Sequence, residues 1–227
     1  MSSSAESSSF EHSFSSLLPT GHEAASLSAV EIETVRLILR PLQPGDAAIM
    51  ARLANDMAVA TMTARLPYPY RDTDAAAFIA RQEAQRLAGQ ELVFAIERKD
   101  GEGFAGCVDL HLTARNRAEI GYWLGQRHWG LGLATEAARA AIDHGFLHLG
   151  LELLTGECRV INEASRHVLE KCGLHYINSG LSPAPARGGA LPVDRFELSR
   201  RHWESFKAWQ PAIMRKPNKA PELMLGA

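Results

Sequence analysis

The feature that most constrains this sequence is a glycine turn between a strand pattern and a helix pattern. Residues 127–134 read RHWGLGLA, with EIGYWLG just before and an alanine-rich stretch after. Glycine lets backbone amides approach a bound group closely, and the first amides of a helix lack partners within it. The helix dipole adds partial positive charge at the same end. The pattern favours an anion site, although two glycines alone also fit a plain turn.

The remaining pattern predicts one α/β domain. A hydrophobic content of 46% over 227 residues is enough for one sizeable core. Periodicity and turn residues predict strands near 33–41, 91–97, 104–112, 117–124, 151–160, 174–178 and 193–199. They predict helices near 44–56, 72–86, 133–149 and 162–172, and loops at 57–71 and 180–189. The Asp-Gly pair at Asp100 and Gly101 predicts a hairpin turn.

Both ends of the chain differ from this domain. Residues 1–28 are serine-rich and hold too little apolar surface to offset the entropy of ordering, so we predict a disordered tail. The predicted domain covers residues 29–203, and residues 204–227 form a C-terminal appendage.

Charge, cysteine content and hydropathy exclude several function classes. A net charge of −2 gives no broad basic field, so we expect no nucleic-acid partner. Cys107, Cys158 and Cys172 have neither ligand spacing nor an even count, and the histidines are scattered, so we expect no disulfide framework and no metal. No apolar run reaches the ~20 residues that span a bilayer, and we expect a cytoplasmic protein without a membrane partner.

Three segments together resemble one enzyme family. The turn matches the pattern [R/Q]-x-x-G-x-[G/A] through Arg127, Gly130 and Gly132, EIGYWL precedes it, and NEASRHVLEKCGL begins at Asn162. This combination is similar to the GNAT superfamily of N-acetyltransferases, especially its RimJ/RimL-like branch, over roughly residues 33–203. One departure is the run Cys172-Gly173-Leu174, where the branch more often has an aliphatic residue, glycine and phenylalanine; we interpret it as variation in the core.

The resemblance implies a GNAT fold: an α/β (α+β) protein with a mixed, mostly antiparallel sheet, two splayed strands and flanking helices. Acetyl-coenzyme A is then the co-substrate and lies in the splay. The implied contacts to its pantetheine arm come from the backbone of Tyr122, Trp123 and Leu124. The implied contacts to its pyrophosphate come from Arg127, His128, Trp129, Gly130, Leu131, Gly132, Leu133, Ala134 and Thr135.

Several of these residues have a simpler interpretation as well. The side chains of Tyr122, Trp123 and Trp129 suit packing, and His128 suits either a phosphate contact or exposure to solvent. Asn162 at a helix start is commonly an N-cap, although the resemblance implies a contact to coenzyme A too. Arg166 is implied at the nucleotide phosphates, but a solvated helix arginine is common.

Direct attack of an amine on a thioester needs a proton acceptor, an oxyanion donor and a proton for the leaving thiolate. Strand alternation places Glu119 on one face with Gly121 and Trp123, and we predict that Glu119 is the base. An ion pair between Glu119 and Arg115 or Arg117 is the alternative. Ser165 is the candidate proton donor, with a plain surface serine as its alternative.

The predicted activity is acetyl transfer to a primary amine, including the α-amine of a protein N-terminus. A small-molecule amine is the alternative acceptor, and the loops at residues 57–71 and 180–189 are expected to decide between them. An acyl-coenzyme A sensor without turnover is an alternative of another class. We expect a monomer or a homodimer.

Overall fold

A computed structural model describes residues 30–209. The predicted tail, residues 1–28, and residues 210–227 of the predicted appendage lie outside the described residues. The described chain forms eight strands: β1 Ile32–Glu33, β2 Leu37–Pro41, β3 Glu91–Arg98, β4 Gly103–Ala114, β5 Arg117–Leu124, β6 Leu153–Arg159, β7 His175–Ala184 and β8 Gly189–Ser199. They make one sheet in the order β1-β2-β3-β4-β5-β6-β8-β7.

Helices cover both faces of this sheet. They are α1 Ala47–Ala54, α2 Met57–Thr61, α3 Asp72–Leu87, α4 Leu133–His148, α5 Glu163–Lys171 and α6 Arg200–Trp209. Neighbouring strands run antiparallel except β5 and β6, which are parallel. The predicted fold class, a mixed and mostly antiparallel sheet with flanking helices, is confirmed.

Strand alternation divides the core into two layers. On β3, Phe94 and Ile96 pack with α4 on one face, and Val93 packs with α1 and α3 on the other. Small residues of α4 are buried against the sheet at Ala138 and Ala141, which brings the helix close to it. Burial of one large side chain such as Phe94 stabilises the fold by about 1.5–3 kcal/mol.

Two predicted loops contain regular structure. Residues 57–61 form α2, whose N-cap Asp56 accepts a hydrogen bond from the Ala58 amide at 2.8 Å. Most of residues 180–189 belongs to the hairpin of β7 and β8, in which Gly180 pairs with Val193 and Pro183 with Ala190. The glycine, serine and proline residues of this segment predict a loop. The segment forms a strand instead, because β7 lies at the edge of the sheet, where proline is tolerated.

The two ends of the described chain also differ from the sequence pattern. The predicted single strand at residues 33–41 is a hairpin of β1 and β2, because the Thr34 amide bonds to the Leu37 carbonyl at 2.9 Å and turns the chain. Residue 203, the predicted end of the domain, lies within α6. Trp203 is 8% exposed and its indole donates to the Asp143 carboxylate at 2.8 Å.

The described part of the chain, residues 30–209, holds no helix that is both long and apolar enough to cross a membrane.

Candidate active site

The centre of the candidate site is an opening between the two parallel strands. Pairing of β5 with β6 runs from Arg117 with Leu153 to Ile120 with Gly156 and then ends. Beyond that point β5 stays paired with β4, and β6 stays paired with β8. Residues 121–124 therefore present a backbone edge toward the opening, to which an extended ligand can add as a strand does.

The glycine turn lies where this edge meets α4. Gly130 and Gly132 have φ of +74° and +75°, in the left-handed region that favours glycine. The first bond within α4 runs from the Glu136 amide to the Gly132 carbonyl at 3.1 Å. The amides of Leu133, Ala134 and Thr135 precede that bond and lack partners within the helix. They form the positive end of α4 beside the opening.

Behind the turn, His128 lies between two guanidinium groups. Its ring is 1% exposed, so the alternative in which His128 faces solvent is wrong. Arg127 Nε donates to His128 Nε2 at 3.0 Å, and Arg98 Nη1 lies 3.2 Å from Nδ1. Burial and the charges of Arg127 and Arg98 lower the pKa of His128. A neutral His128 therefore supports Arg127 beside the turn.

Glu119 lies on the face that the sequence predicted. Ile120 and Leu124 are buried with α4, and Trp123 packs on the opposite side with α1 and α3. Glu119 forms an ion pair with Arg65, at 4.0 Å, and not with Arg115 or Arg117, the partners named in the alternative to a base. Burial and the Glu157 carboxylate raise the pKa of Glu119, and Arg65 opposes this rise.

Asp109 is a second carboxylate on this face, and the sequence analysis missed it. It pairs in register with Gly121 on β5. A Cβ at Gly121 would lie 2.7 and 2.8 Å from the two Asp109 carboxylate oxygens, so the absent side chain leaves room for the carboxylate. Burial and the Glu91 carboxylate raise the pKa of Asp109 to about 7. The available signal was one carboxylate within the apolar run FAGCVDL.

Tyr122 and Ser165 meet on the other face of β5. The Tyr122 hydroxyl lies 2.9 Å from Ser165 Oγ and donates to the Ser165 carbonyl at 3.1 Å. Burial raises the pKa of Tyr122 well above its usual range, so its hydroxyl stays protonated. Asn162 caps α5 by accepting from the Ser165 amide at 3.1 Å. The Tyr122 side chain therefore makes a polar contact as well as packing.

Two other predicted contact residues are engaged within the protein. Arg166 forms an ion pair with the buried Asp194 at 2.5 Å and lies over the rings of Tyr176 and Phe196. The Trp129 indole donates to the Leu124 carbonyl at 2.8 Å. Arg166 is thus directed to β8, whereas Trp129 braces the end of β5.

The two segments expected to shape the acceptor site are joined to each other. The Arg187 guanidinium donates to the Leu66 carbonyl at 2.8 Å and also to the Ala60 carbonyl. The Ala186 amide donates to the Ala64 carbonyl at 3.3 Å. The turn between β7 and β8 therefore holds the segment between α2 and α3. Among residues 30–209, no three His, Cys, Asp or Glu side chains are grouped as ligands of a metal ion.

Comparisons with known proteins agree with this geometry. Residues 36–175, from β2 through α5, match the family model described as an acetyltransferase (GNAT) domain. The chain is 30% identical to the uncharacterised N-acetyltransferase p20 of Bacillus licheniformis over 174 residues, which cover 75% of this chain and 96% of that protein. The match is thus to nearly the whole of that relative.

Two solved structures are similar in fold. RimL, a ribosomal L7/L12 alpha-N-protein acetyltransferase solved with coenzyme A, aligns with a TM-score of 0.66 and 17% identity over 75% of this chain and 98% of RimL. The microcin C7 self-immunity acetyltransferase MccE, solved with acetyl-CoA and AMP, aligns with a TM-score of 0.64 and 20% identity. The alignment covers 73% of this chain and 93% of MccE. At these identities the likeness concerns the fold alone.

Proposed function

The chain belongs to the GNAT acetyltransferase family of N-acetyltransferases, and on that premise we propose that it transfers the acetyl group of acetyl-coenzyme A to a primary amine. The observation that carries this proposal is the backbone edge at residues 121–124, which leads into the glycine turn at the start of α4. The edge suits the amides of a pantetheine arm, and the turn suits a pyrophosphate. RimL and MccE were solved with coenzyme A and acetyl-CoA, which supports the same donor.

Glu119 and Asp109 are proposed to receive the proton of the attacking amine. An ammonium has no lone pair for attack, and amines have pKa values of about 7.7–8.0 at a chain N-terminus and about 10.4 in lysine. A carboxylate whose pKa is raised toward neutrality is a better acceptor than an ordinary one. The pKa values of both carboxyls are raised, and the missing side chain of Gly121 lets the Asp109 carboxylate lie above β5.

The donor to the oxyanion and the proton for the leaving thiolate are proposed to come from β5 and α5. A backbone amide at Leu124 or a neighbour can donate to the oxyanion that forms when the amine nitrogen bonds to the thioester carbon. When the carbon–sulfur bond breaks, the thiolate needs a proton. The Tyr122 hydroxyl can supply it, and Ser165, whose Oγ lies 2.9 Å away, can pass a proton from solvent to the tyrosine oxygen, so that both hydroxyls end protonated. The proposed donor is therefore a pair, not Ser165 alone.

The proposed acceptor is the α-amine of a peptide or protein N-terminus. Its lower pKa leaves more free amine near neutrality than a lysine has. RimL, an alpha-N-protein acetyltransferase of similar fold, supports this class. A small-molecule amine is the second candidate, favoured because the Arg187 hydrogen bonds to the Ala60 and Leu66 carbonyls hold the loop at residues 62–71 against the turn between β7 and β8.

Release of the coenzyme A thiol tests the proposal when it is followed with a panel of N-terminal peptides and small amines. We expect thiol release that depends on the acceptor and is fastest with peptides. Faster release with small amines would assign the second candidate. Tight coenzyme A binding without acceptor-dependent release would refute catalysis and leave the sensor function.

A further inference from the structure

Glu136 joins the N-terminal hairpin to the first turn of α4. Its Oε1 accepts from the Thr34 hydroxyl at 2.7 Å and from the Arg36 amide at 2.8 Å. Its Oε2 accepts from Arg36 Nε at 2.7 Å. Burial opposes ionisation of Glu136, but these bonds prevail and its pKa is lowered. Glu136 is thus an ionised carboxylate whose partners come from residues one hundred or more positions earlier in the chain.

Arg36 carries this connection on to the glycine turn. Its Nη1 donates to the Leu131 carbonyl at 2.8 Å. Nη2 of the same guanidinium lies 3.5 Å from where a Cβ of Gly132 would be. The guanidinium therefore binds Glu136 through one edge and the peptide that joins Leu131 to Gly132 through another.

The orientation of that peptide decides what the turn offers to an anion. The Leu131 carbonyl and the Gly132 amide belong to one planar trans peptide, so they point in opposite directions. Gly132 tolerates either orientation, because glycine populates both signs of φ readily. Reversal of the peptide would turn a carbonyl, rather than an N–H, toward the pyrophosphate. Without an external bond, the turn would mix both orientations and bind an anion less well.

We propose that Arg36, held by Glu136, is a positioning residue that fixes the Leu131–Gly132 peptide with its amide toward the donor pyrophosphate. This inference rests on the proposed function, since it assumes the donor's place in the turn. The β1–β2 hairpin then completes the donor site, although it lies far from it in sequence. Arg36 acts through the backbone of the turn and not on the reacting atoms.

Two donors that differ in the pyrophosphate test this inference. Acetyl-CoA and acetyl-pantetheine share the thioester and the pantetheine arm, but only acetyl-CoA reaches the turn. Arg36→Met should raise the KM for acetyl-CoA about tenfold with little change in kcat, as expected for loss of one charge-assisted hydrogen bond. The kcat/KM for acetyl-pantetheine should change less than about twofold. Glu136→Gln should likewise lower the ratio of kcat/KM for acetyl-CoA to kcat/KM for acetyl-pantetheine.

Lys99→Met is the matched control. The Lys99 ammonium bonds to the Glu33 carboxylate at 2.6 Å and to the Thr34 carbonyl, so both of these bonds hold the hairpin and neither goes to the turn. Lys99→Met should lower Tm without changing the ratio of kcat/KM for acetyl-CoA to kcat/KM for acetyl-pantetheine. If Arg36→Met does not fold, Arg36→Lys retains one cation near the Leu131 carbonyl and should show a smaller shift of the same ratio.

The outcomes separate this inference from the proposed function. Equal losses with both donors in the Arg36 variant, or a changed Tm with an unchanged donor ratio, would overturn the positioning role while leaving the enzyme intact. A wild-type protein that does not prefer acetyl-CoA would overturn it by removing the pyrophosphate from the turn. No thiol release with either donor would instead refute the proposed function.

Discussion

Replacement of Asp109 by asparagine should stabilise the protein, and more so as the pH rises. The pKa of Asp109 is raised from an ordinary 3.8 to about 7, mainly by burial. The folded state then favours the protonated carboxyl and loses stability as the pH rises from about 4 to about 7. A pKa rise of that size lowers the free energy of unfolding by about 4 kcal/mol in total. Solvent contact of the partly buried carboxyl reduces this loss to about 2 kcal/mol. Asparagine keeps the shape and removes the charge.

The assay is urea unfolding of wild type and Asp109→Asn at pH 5 and pH 8. About a third of the loss lies below pH 5, so the stability advantage of the variant should grow by about 1 kcal/mol between pH 5 and pH 8. The acetyl transfer rate of the variant should be lower than that of wild type. Glu91, Arg65 and Glu119 face Asp109 and are present in both proteins, so their titration cancels to first order. Asp100→Asn is the control, because Arg98 lowers the pKa of that exposed carboxyl and its charge does not change between pH 5 and 8. An advantage that does not change with pH would refute the reasoning.

Three further changes test other parts of the site. Gly132→Val places a β-branched side chain at φ +75° and should raise the KM for acetyl-CoA strongly with the fold intact; an unchanged KM in steady-state assays would remove the turn from the donor site. Glu119→Gln should lower kcat most near neutral pH and much less at high pH, where free amine is abundant, so a wild-type pH profile would exclude Glu119 as the base. Tyr122→Phe should lower kcat about a hundredfold at unchanged KM for acetyl-CoA, and a wild-type kcat would exclude the hydroxyl as proton donor.

Much of the site could be predicted because its signals are local. The alternation of β5 and the glycine turn before α4 depend on residues that are close in sequence, and the structure reproduces both. The hairpin at Gly101 and Gly103 follows from the same kind of pattern, because both glycines adopt positive φ.

The features that the sequence analysis missed depend on pairing between distant segments. Asp109 reaches the site only because β4 pairs with β5 in the register that opposes it to Gly121, and no local pattern specifies that register. Arg36 meets Glu136 across one hundred residues. Residues 180–184 have the composition of a loop but extend β7 because β8 supplies hydrogen bonds.

The proposed place of the donor is the edge at residues 121–124 and the turn that follows. Hydrogen exchange of backbone amides, measured by mass spectrometry with and without coenzyme A, tests this location directly. We predict that coenzyme A slows exchange in two segments, residues 121–124 and residues 130–135, and that pantetheine slows exchange in the first alone. Protection confined to other parts of the chain, or equal protection of the turn by pantetheine, would contradict the account.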